Sequence, residues 1–195
     1  MKPLILSLVT LAFTTAPAFG HDPAFKPEFV ASITPSYLAM QTALAGDDLN
    51  NAKSGAADFL EAMKEAPDQG DAAKESEDLR KPAQALQGAD DIAAARKAFF
   101  ELSLEFSTLL GHVGTIEDDE LHLIHCPMAF DNTGARWVQV GKEVNNPYFG
   151  ANMLRCGSPM RQLSPREEKT HRDHHHGQQE QPHAPQQPHH PHHGH

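Results

Sequence analysis

The sequence has little of several features that define common protein classes. It has two cysteines, one tryptophan and two tyrosines among 195 residues. Apart from one N-terminal stretch, it has no long apolar run. It also lacks a phosphate-binding loop, a nucleophile elbow and an HExxH motif. We therefore expect a protein that is not an enzyme and does not span a membrane after removal of the N-terminal stretch.

Positive charge is scarce as well. Lysine and arginine total 16 against 26 aspartate and glutamate residues, and the formal net charge is −10. Nucleic-acid binding normally requires a basic face. The charge balance therefore argues against a nucleic-acid partner.

The N-terminus has the pattern of an export signal over residues 1–20. Lys2 precedes a ten-residue apolar run at 4–13, and small residues follow. This run is too short to anchor the chain in a bilayer. The pattern predicts a periplasmic protein in an oxidising compartment. Cleavage after Gly20 would leave His21 as a candidate Cu(II) chelator, although a plain disordered end explains it equally simply.

The rest of the chain divides by composition into three parts. Residues 21–33 are a proline-containing lead-in, residues 34–163 are the folded domain, and residues 164–195 are a low-complexity tail. The apolar spacing within the domain is mostly helical. We expect a mainly α fold in which short loops join antiparallel helices into an up-and-down bundle.

Several residues mark the expected helix boundaries. Thr34 is a candidate N-cap with Pro35 at the first helical position, and Asp47 is a candidate cap for the second helix. Pro82 should break or kink the third helix. The clearest helix covers about 91–110, with one apolar stripe made of Ile92, Ala95, Phe99, Leu102, Phe106, Leu109 and Val113.

The pattern changes in the last part of the domain. Residues 121–126 and 135–140 are short and rich in β-forming side chains, and 131–134 has a turn composition. These segments predict a small C-terminal β-hairpin. Residues 151–156 are compatible with a short helical turn.

Sulfur side chains concentrate in this part of the chain. The set comprises Cys126, Met128, Met153, Cys156 and Met160. Thiolate and thioether sulfur select Cu(I), and by the same softness Ag(I). Cys126 and Met128 would share one face of a strand, and Met153 and Cys156 one side of a helical turn.

Three neighbouring side chains are weaker candidates for the same site. Trp137 could place its ring over a cation, although a core position is the simpler interpretation. His122 and His125 are borderline ligands, and His125 should face away from Cys126 in a regular strand.

A disulfide explains the cysteines equally well. Two cysteines in an exported domain commonly pair. A Cys126–Cys156 bridge would close a loop of about 30 residues and contribute roughly 3.5 kcal/mol in the chain-entropy model. The two sulfurs should be close in either case, so spacing alone leaves both interpretations open.

The sequence also resembles a known family. The helical segments and the motifs CPM, W-x-Q and NPY-x-G-x-x-M-x-x-CG, over about residues 34–158, are similar to the DUF3347 domain. That domain also occurs fused to copper/silver efflux adaptors similar to CusB. The resemblance implies an exported helical domain connected with heavy-metal handling, with the Cys and Met positions as soft-metal ligands.

The tail is rich in histidine, proline and glutamine. This composition predicts disorder and binding of Zn(II), Ni(II) or Cu(II) through neutral imidazole. A purification tag or a pH-sensitive soluble tail are the alternatives. The ten tail histidines are His171, His174, His175, His176, His183, His189, His190, His192, His193 and His195.

Together these features predict an exported metal-binding protein. The sulfur site would bind Cu(I) or Ag(I), the tail would capture harder ions, and an envelope metal-efflux complex would be the partner. One alternative is a disulfide-stapled interaction module of the cell envelope. Another is a zinc or nickel store that acts only through the tail.

Overall fold

The computed structural model describes residues 25–115 and 120–163. The predicted signal peptide, His21 and the histidine-rich tail lie outside these residues. Four long helices come first: α1 (Pro27–Ala45), α2 (Leu49–Ala62), α3 (Gly70–Gln87) and α4 (Ile92–Val113). The short helical segment α5 (Ala129–Asn132) and the strands β1 (Leu121–Cys126), β2 (Ala135–Val140) and β3 (Ser158–Gln162) follow.

The four long helices form the predicted bundle. Each helix packs on the next in chain order, and α1 also contacts α4. The centre is aromatic, because the Tyr37 ring stacks on Phe99 and Phe106 with centroids 5.2 and 4.1 Å apart. Phe99, Leu102 and Phe106 are fully buried, which confirms the predicted apolar stripe of α4. Within the described residues, no helix is long and apolar enough to cross a membrane.

Helix α1 begins at Pro27, so the predicted start at Thr34 was wrong. Pro27 occupies the first helical position, and Val30 extends the buried face into the supposed lead-in. Thr34 is a buried interior residue, and its hydroxyl donates to the Val30 carbonyl at 2.7 Å. Pro35 therefore lies inside the helix.

At two further boundaries the structure differs from the prediction. Pro82 does not end α3, which continues to Gln87 because Leu79, Ala83 and Leu86 remain buried against the bundle. The second helix is capped by Asp48, whose carboxylate accepts from the backbone N–H of Asn51.

The C-terminal part forms a three-stranded antiparallel sheet in the order β2-β1-β3. The two predicted strands have the expected bounds, but the third strand was not predicted. Cys126 lies opposite Ala135, and His125 lies opposite Arg136 on one side and Ser158 on the other. The register of β1 and β3 shifts between Leu123 and Ile124, so Met160 is an extra residue in a β-bulge.

Two tyrosines satisfy backbone groups of strand β2, which has β1 as its only strand neighbour in the described sheet. The Val138 N–H donates to the Tyr37 hydroxyl at 3.1 Å. The Tyr148 hydroxyl donates to the Arg136 carbonyl at 2.7 Å. The Tyr37 bond attaches the sheet to the bundle, and the Tyr148 bond attaches β2 to the segment that follows it.

The connection between β1 and β2 has an unusual backbone. Phe130, Asp131 and Asn132 all have φ between 52° and 65°, and Gly134 has φ 82°. Left-handed backbone costs about 1–2 kcal/mol per non-glycine residue, so other contacts must hold it. The Phe130 ring packs against Phe100, with centroids 4.8 Å apart.

Candidate metal centre

The two cysteines meet at one end of the sheet. Cys126 is the last residue of β1 and is 0% exposed, whereas Cys156 is half-buried. Their Sγ atoms are 2.7 Å apart, and both are free thiols. The predicted proximity of the two cysteines is confirmed.

This geometry is close to what either chemistry requires. A disulfide bond is about 2.05 Å long, so a small approach of the sulfurs would allow one to form. Zinc–thiolate bonds are about 2.3 Å, so two sulfurs on one ion of that size lie at most about 4.6 Å apart. An outward movement of the Cys156 sulfur by up to about 2 Å would give a soft ion the room it needs.

The thiol of Cys156 is a weak acid in this position. The hydrogen bond with Cys126 and, secondarily, burial raise the pKa of Cys156 to about 11. The backbone N–H of Met128 donates to the same sulfur and acts in the opposite direction. A metal ion that binds here must therefore displace a proton.

Trp137 and Gln139 hold the chain around the cysteine pair. They lie two apart on β2 and share a face, where the indole Nε1–H donates to Gln139 Oε1 at 2.9 Å. The same oxygen accepts from the backbone N–H of Asn145, and Gln139 Nε2 donates to the carbonyls of Gly141 and Glu143. The W-x-Q motif thus fixes the start of residues 141–157, the covering segment.

Asn146 fixes the other end of the covering segment. Its Nδ2 donates to the Cys156 carbonyl at 2.7 Å. Its Oδ1 accepts from the backbone N–H groups of Tyr148 and Phe149. The NPY motif therefore positions the backbone of Cys156 directly.

The two motif glycines allow close packing on either side. A Cβ at Gly150, which has φ 56°, would overlap Asp47 and Arg96. Asp47 pairs with Arg96 at 2.6 Å and accepts from the Ala151 N–H, so it joins the bundle to the covering segment. A Cβ at Gly157, which has φ 138°, would come within 3.1 Å of Trp137 Cη2.

The methionines that neighbour the cysteines in the chain lie in different settings. Met128 is 48% exposed and follows the end of β1 with φ −90° and ψ −12°, so the predicted shared strand face with Cys126 was wrong. Met153 is half-buried, and its carbonyl accepts from the Cys156 N–H at 3.0 Å. The predicted helical turn is a 3-10 turn over Gly150–Asn152 that ends before Met153.

His125 and Met160 occupy a different place from the cysteine pair. His125 faces the opposite side of β1 from Cys126, as expected for a regular strand. Both residues line a cavity of about 310 Å³ beside Phe100 and Leu104, and neither cysteine lines it. The structure therefore does not join the proposed sulfur ligands and His125 into one cluster.

His122 and Trp137 are buried in the sheet. His122 is 2% exposed, and in the described part of the chain its Nε2 has no hydrogen-bond partner. It lies about 13 Å from Cys126 along β1, too far to share an ion with it. The Trp137 ring is 0% exposed and meets Tyr148 edge-on, as a core side chain does.

Across residues 25–115 and 120–163, no three or more His, Cys, Asp or Glu side chains form a group that could hold a metal ion. The sequence had marked Gln139, Asn146 and Tyr148 as motif positions, but their role as supports was not predicted. The two-residue spacing of Trp137 and Gln139 was the available signal, because such residues share a strand face.

Comparison with known families identifies the helical part. Residues 33–118 match the family described as a protein of unknown function, DUF3347. This match, over a little under half of the chain, supports the assignment of residues 33–118 to the DUF3347 family. The match ends before Cys126, so it does not include the motifs around the cysteines. Neither the curated proteins nor the solved structures give a match.

Proposed function

We propose that this protein is an exported, non-enzymatic metal-binding protein that holds Cu(I) or Ag(I) between Cys126 and Cys156. The observation that supports this most is the 2.7 Å separation of two free thiols, one of which reaches solvent. Thiolates are soft donors and favour soft monovalent ions.

The sequence around the pair supplies further soft donors. Met128 and Met153 are next to it in the chain, and each supplies a thioether that could complete the coordination. Asn146, Gln139 and Trp137 fix the backbone of the covering segment. Folding itself therefore brings Cys156 to Cys126, and metal binding does not have to supply that free energy. A bound ion would be held by these ligands and would take no part in a chemical reaction.

The histidine-rich tail has a second role in this proposal. Its imidazoles would capture Cu(II), Zn(II) or Ni(II) at many weak sites, while the cysteine pair gives selectivity for soft ions. The export-signal pattern of residues 1–20 supports a periplasmic location for this role. Sequestration of metal, or its delivery to an envelope efflux complex, is the role we propose, in keeping with the resemblance to domains fused to CusB-like adaptors.

A Cu(I) titration of the mature chain against a coloured chelator tests the proposal. The mature protein and a variant without residues 164–195 should both retain one tight site. Cys126→Ser and Cys156→Ser should each lose it. Met160→Leu is the matched control, because Met160 lies in the separate cavity with His125 and its loss should leave the site intact.

Two experimental outcomes would favour a different function. Loss of all metal binding on removal of residues 164–195 would favour the store that acts only through its tail. An absence of free thiols in protein isolated from the envelope, with or without mild reductant, would favour a disulfide-stapled interaction module. The short sulfur–sulfur distance is the observation that keeps the second function as a candidate.

A further inference from the structure

We infer that Cys156 is the thiol that reacts first with a small external disulfide compound, and that Cys126 then resolves the adduct. The product is a Cys126–Cys156 disulfide that closes the soft-metal site. The exchange reaction stands on the geometry of the pair alone, whereas its effect on metal binding rests on the proposed function.

Access differs sharply between the two sulfurs. Cys126 is 0% exposed at the end of the central strand, beneath the covering segment. Cys156 is half-buried and borders solvent. Thiol–disulfide exchange requires the attacking sulfur to contact the external disulfide directly. Only Cys156 offers that contact in the folded protein.

The backbone around Cys156 keeps its sulfur next to Cys126. The Cys156 carbonyl accepts from Asn146 Nδ2, and its N–H donates to the Met153 carbonyl. Gly157 follows with φ 138°, which lets the chain pass close to Trp137. A Cys156 adduct would therefore form within reach of the second thiol, 2.7 Å away.

The chemistry balances with a low-molecular-weight disulfide, RSSR, as the oxidant. The Cys156 thiolate attacks one sulfur of RSSR, forms a mixed disulfide and releases RS⁻. The Cys126 thiolate then attacks the Cys156 sulfur, forms the internal disulfide and releases a second RS⁻. The two protein thiols lose two protons and two electrons, and RSSR becomes two RSH. A dithiol reductant reverses both steps.

Glutathione disulfide, with intact-mass measurement, tests the order of the two thiols. Cys126→Ser should accumulate one glutathione adduct on Cys156, because no resolving thiol remains. Cys156→Ser should show no adduct over the same time. The unsubstituted protein should reach the internal disulfide and retain no adduct.

A denatured control separates the effect of the fold from the intrinsic chemistry. In concentrated urea the two single-cysteine variants should react at similar rates. Circular dichroism should show that both variants are folded in buffer. An adduct on Cys126 that forms as fast as that on Cys156 in the folded proteins would overturn the inference, as would a stable adduct on the unsubstituted protein.

The effect of oxidation on Cu(I) binding is measured in a separate experiment. Protein oxidised by glutathione disulfide should lose the Cu(I) site that the reduced protein has, and dithiothreitol should restore it. If the reduced protein binds no Cu(I), the proposed function fails while the exchange result still stands. If the oxidised protein keeps its Cu(I) site, the closing of the site is refuted and the proposed function is unaffected.

Discussion

The helical bundle and the C-terminal sheet, with its covering segment, are stabilised by different interactions. The bundle is packed by apolar and aromatic side chains such as Phe59, Leu102 and Phe106. The sheet shares this apolar core, but its covering segment is held in addition by polar side chains that bond to backbone groups, chiefly those of Gln139 and Asn146. The bundle therefore contributes mainly apolar burial, while the polar network positions one half-buried cysteine.

The largest expected effect is on the bundle. Phe106→Ala should remove a stacked, fully buried ring and destabilise the protein by about 4 kcal/mol, through lost burial and a residual cavity. Urea unfolding followed by circular dichroism measures this. Leu104→Ala is the control two residues earlier, since Leu104 is 38% exposed and should cost less than about 1 kcal/mol. Similar losses in the two variants would contradict the importance assigned to the stacked ring.

A smaller effect with a different signature is expected in the covering segment. Asn146→Ala should cost about 3 kcal/mol, because it breaks one bond to the Cys156 carbonyl and two from backbone N–H groups. It should also speed iodoacetamide alkylation of Cys156, which Phe106→Ala should not do in the folded state. Asn145→Ala removes only exposed side-chain bonds and should leave alkylation unchanged. No difference between the two asparagines would show that the network does not place Cys156.

The junction between the two regions can be tested with two glycines. Gly150→Ala should cost about 2 kcal/mol, because it adds a Cβ at positive φ that overlaps Asp47 and Arg96. Gly141→Ala also has a positive φ of 72° but has nothing within 4 Å, so it should cost only about 1 kcal/mol. Thermal unfolding compares them. Equal losses would mean that backbone conformation alone is responsible and that the junction adds nothing.

The smallest effect is expected from pH. The backbone N–H of Ala151 and, secondarily, Arg96 hold the pKa of Asp47 below its usual value. The carboxylate therefore stabilises the fold above pH about 4, the unfolded-state pKa, and this contribution is lost as pH falls through the folded-state pKa. With solvent screening the effect should be about 0.5 kcal/mol. Urea unfolding at pH 7 and pH 3 should show a shallower acid loss in Asp47→Asn, and an unchanged profile would contradict this.

Much of the fold was accessible from the sequence, because local patterns agreed with the final packing. The helical stripe of α4 and the β-forming runs of β1 and β2 were each sufficient for a correct prediction. Strand β3 was missed because its residues are all exposed, it contains Pro159, and it pairs only with a strand more than 30 residues earlier. Thr34 and Pro35 gave a valid capping pattern, but the burial of Val30 extended the helix beyond it.

The candidate site was predictable only in part. The motif spacing indicated that Cys126 and Cys156 meet, which the structure confirms. It did not indicate that Met128 leaves the strand, because the left-handed residues Phe130–Asn132 are held by distant contacts with Phe100 and Tyr148. The ion pair between Asp47 and Arg96 could not be predicted from the sequence either, because the two residues are 49 positions apart.

The tyrosine contacts along β2 have a consequence for how the molecule meets other chains. Unpaired backbone groups on a sheet edge are templates for aggregation. Here phenol oxygens already occupy the Arg136 carbonyl and the Val138 N–H. Burial raises the pKa of both Tyr37 and Tyr148, so the hydroxyls stay neutral throughout the biological pH range. A neighbouring strand would have to displace two buried rings to add itself there, which makes this side of the sheet resistant to fibril growth.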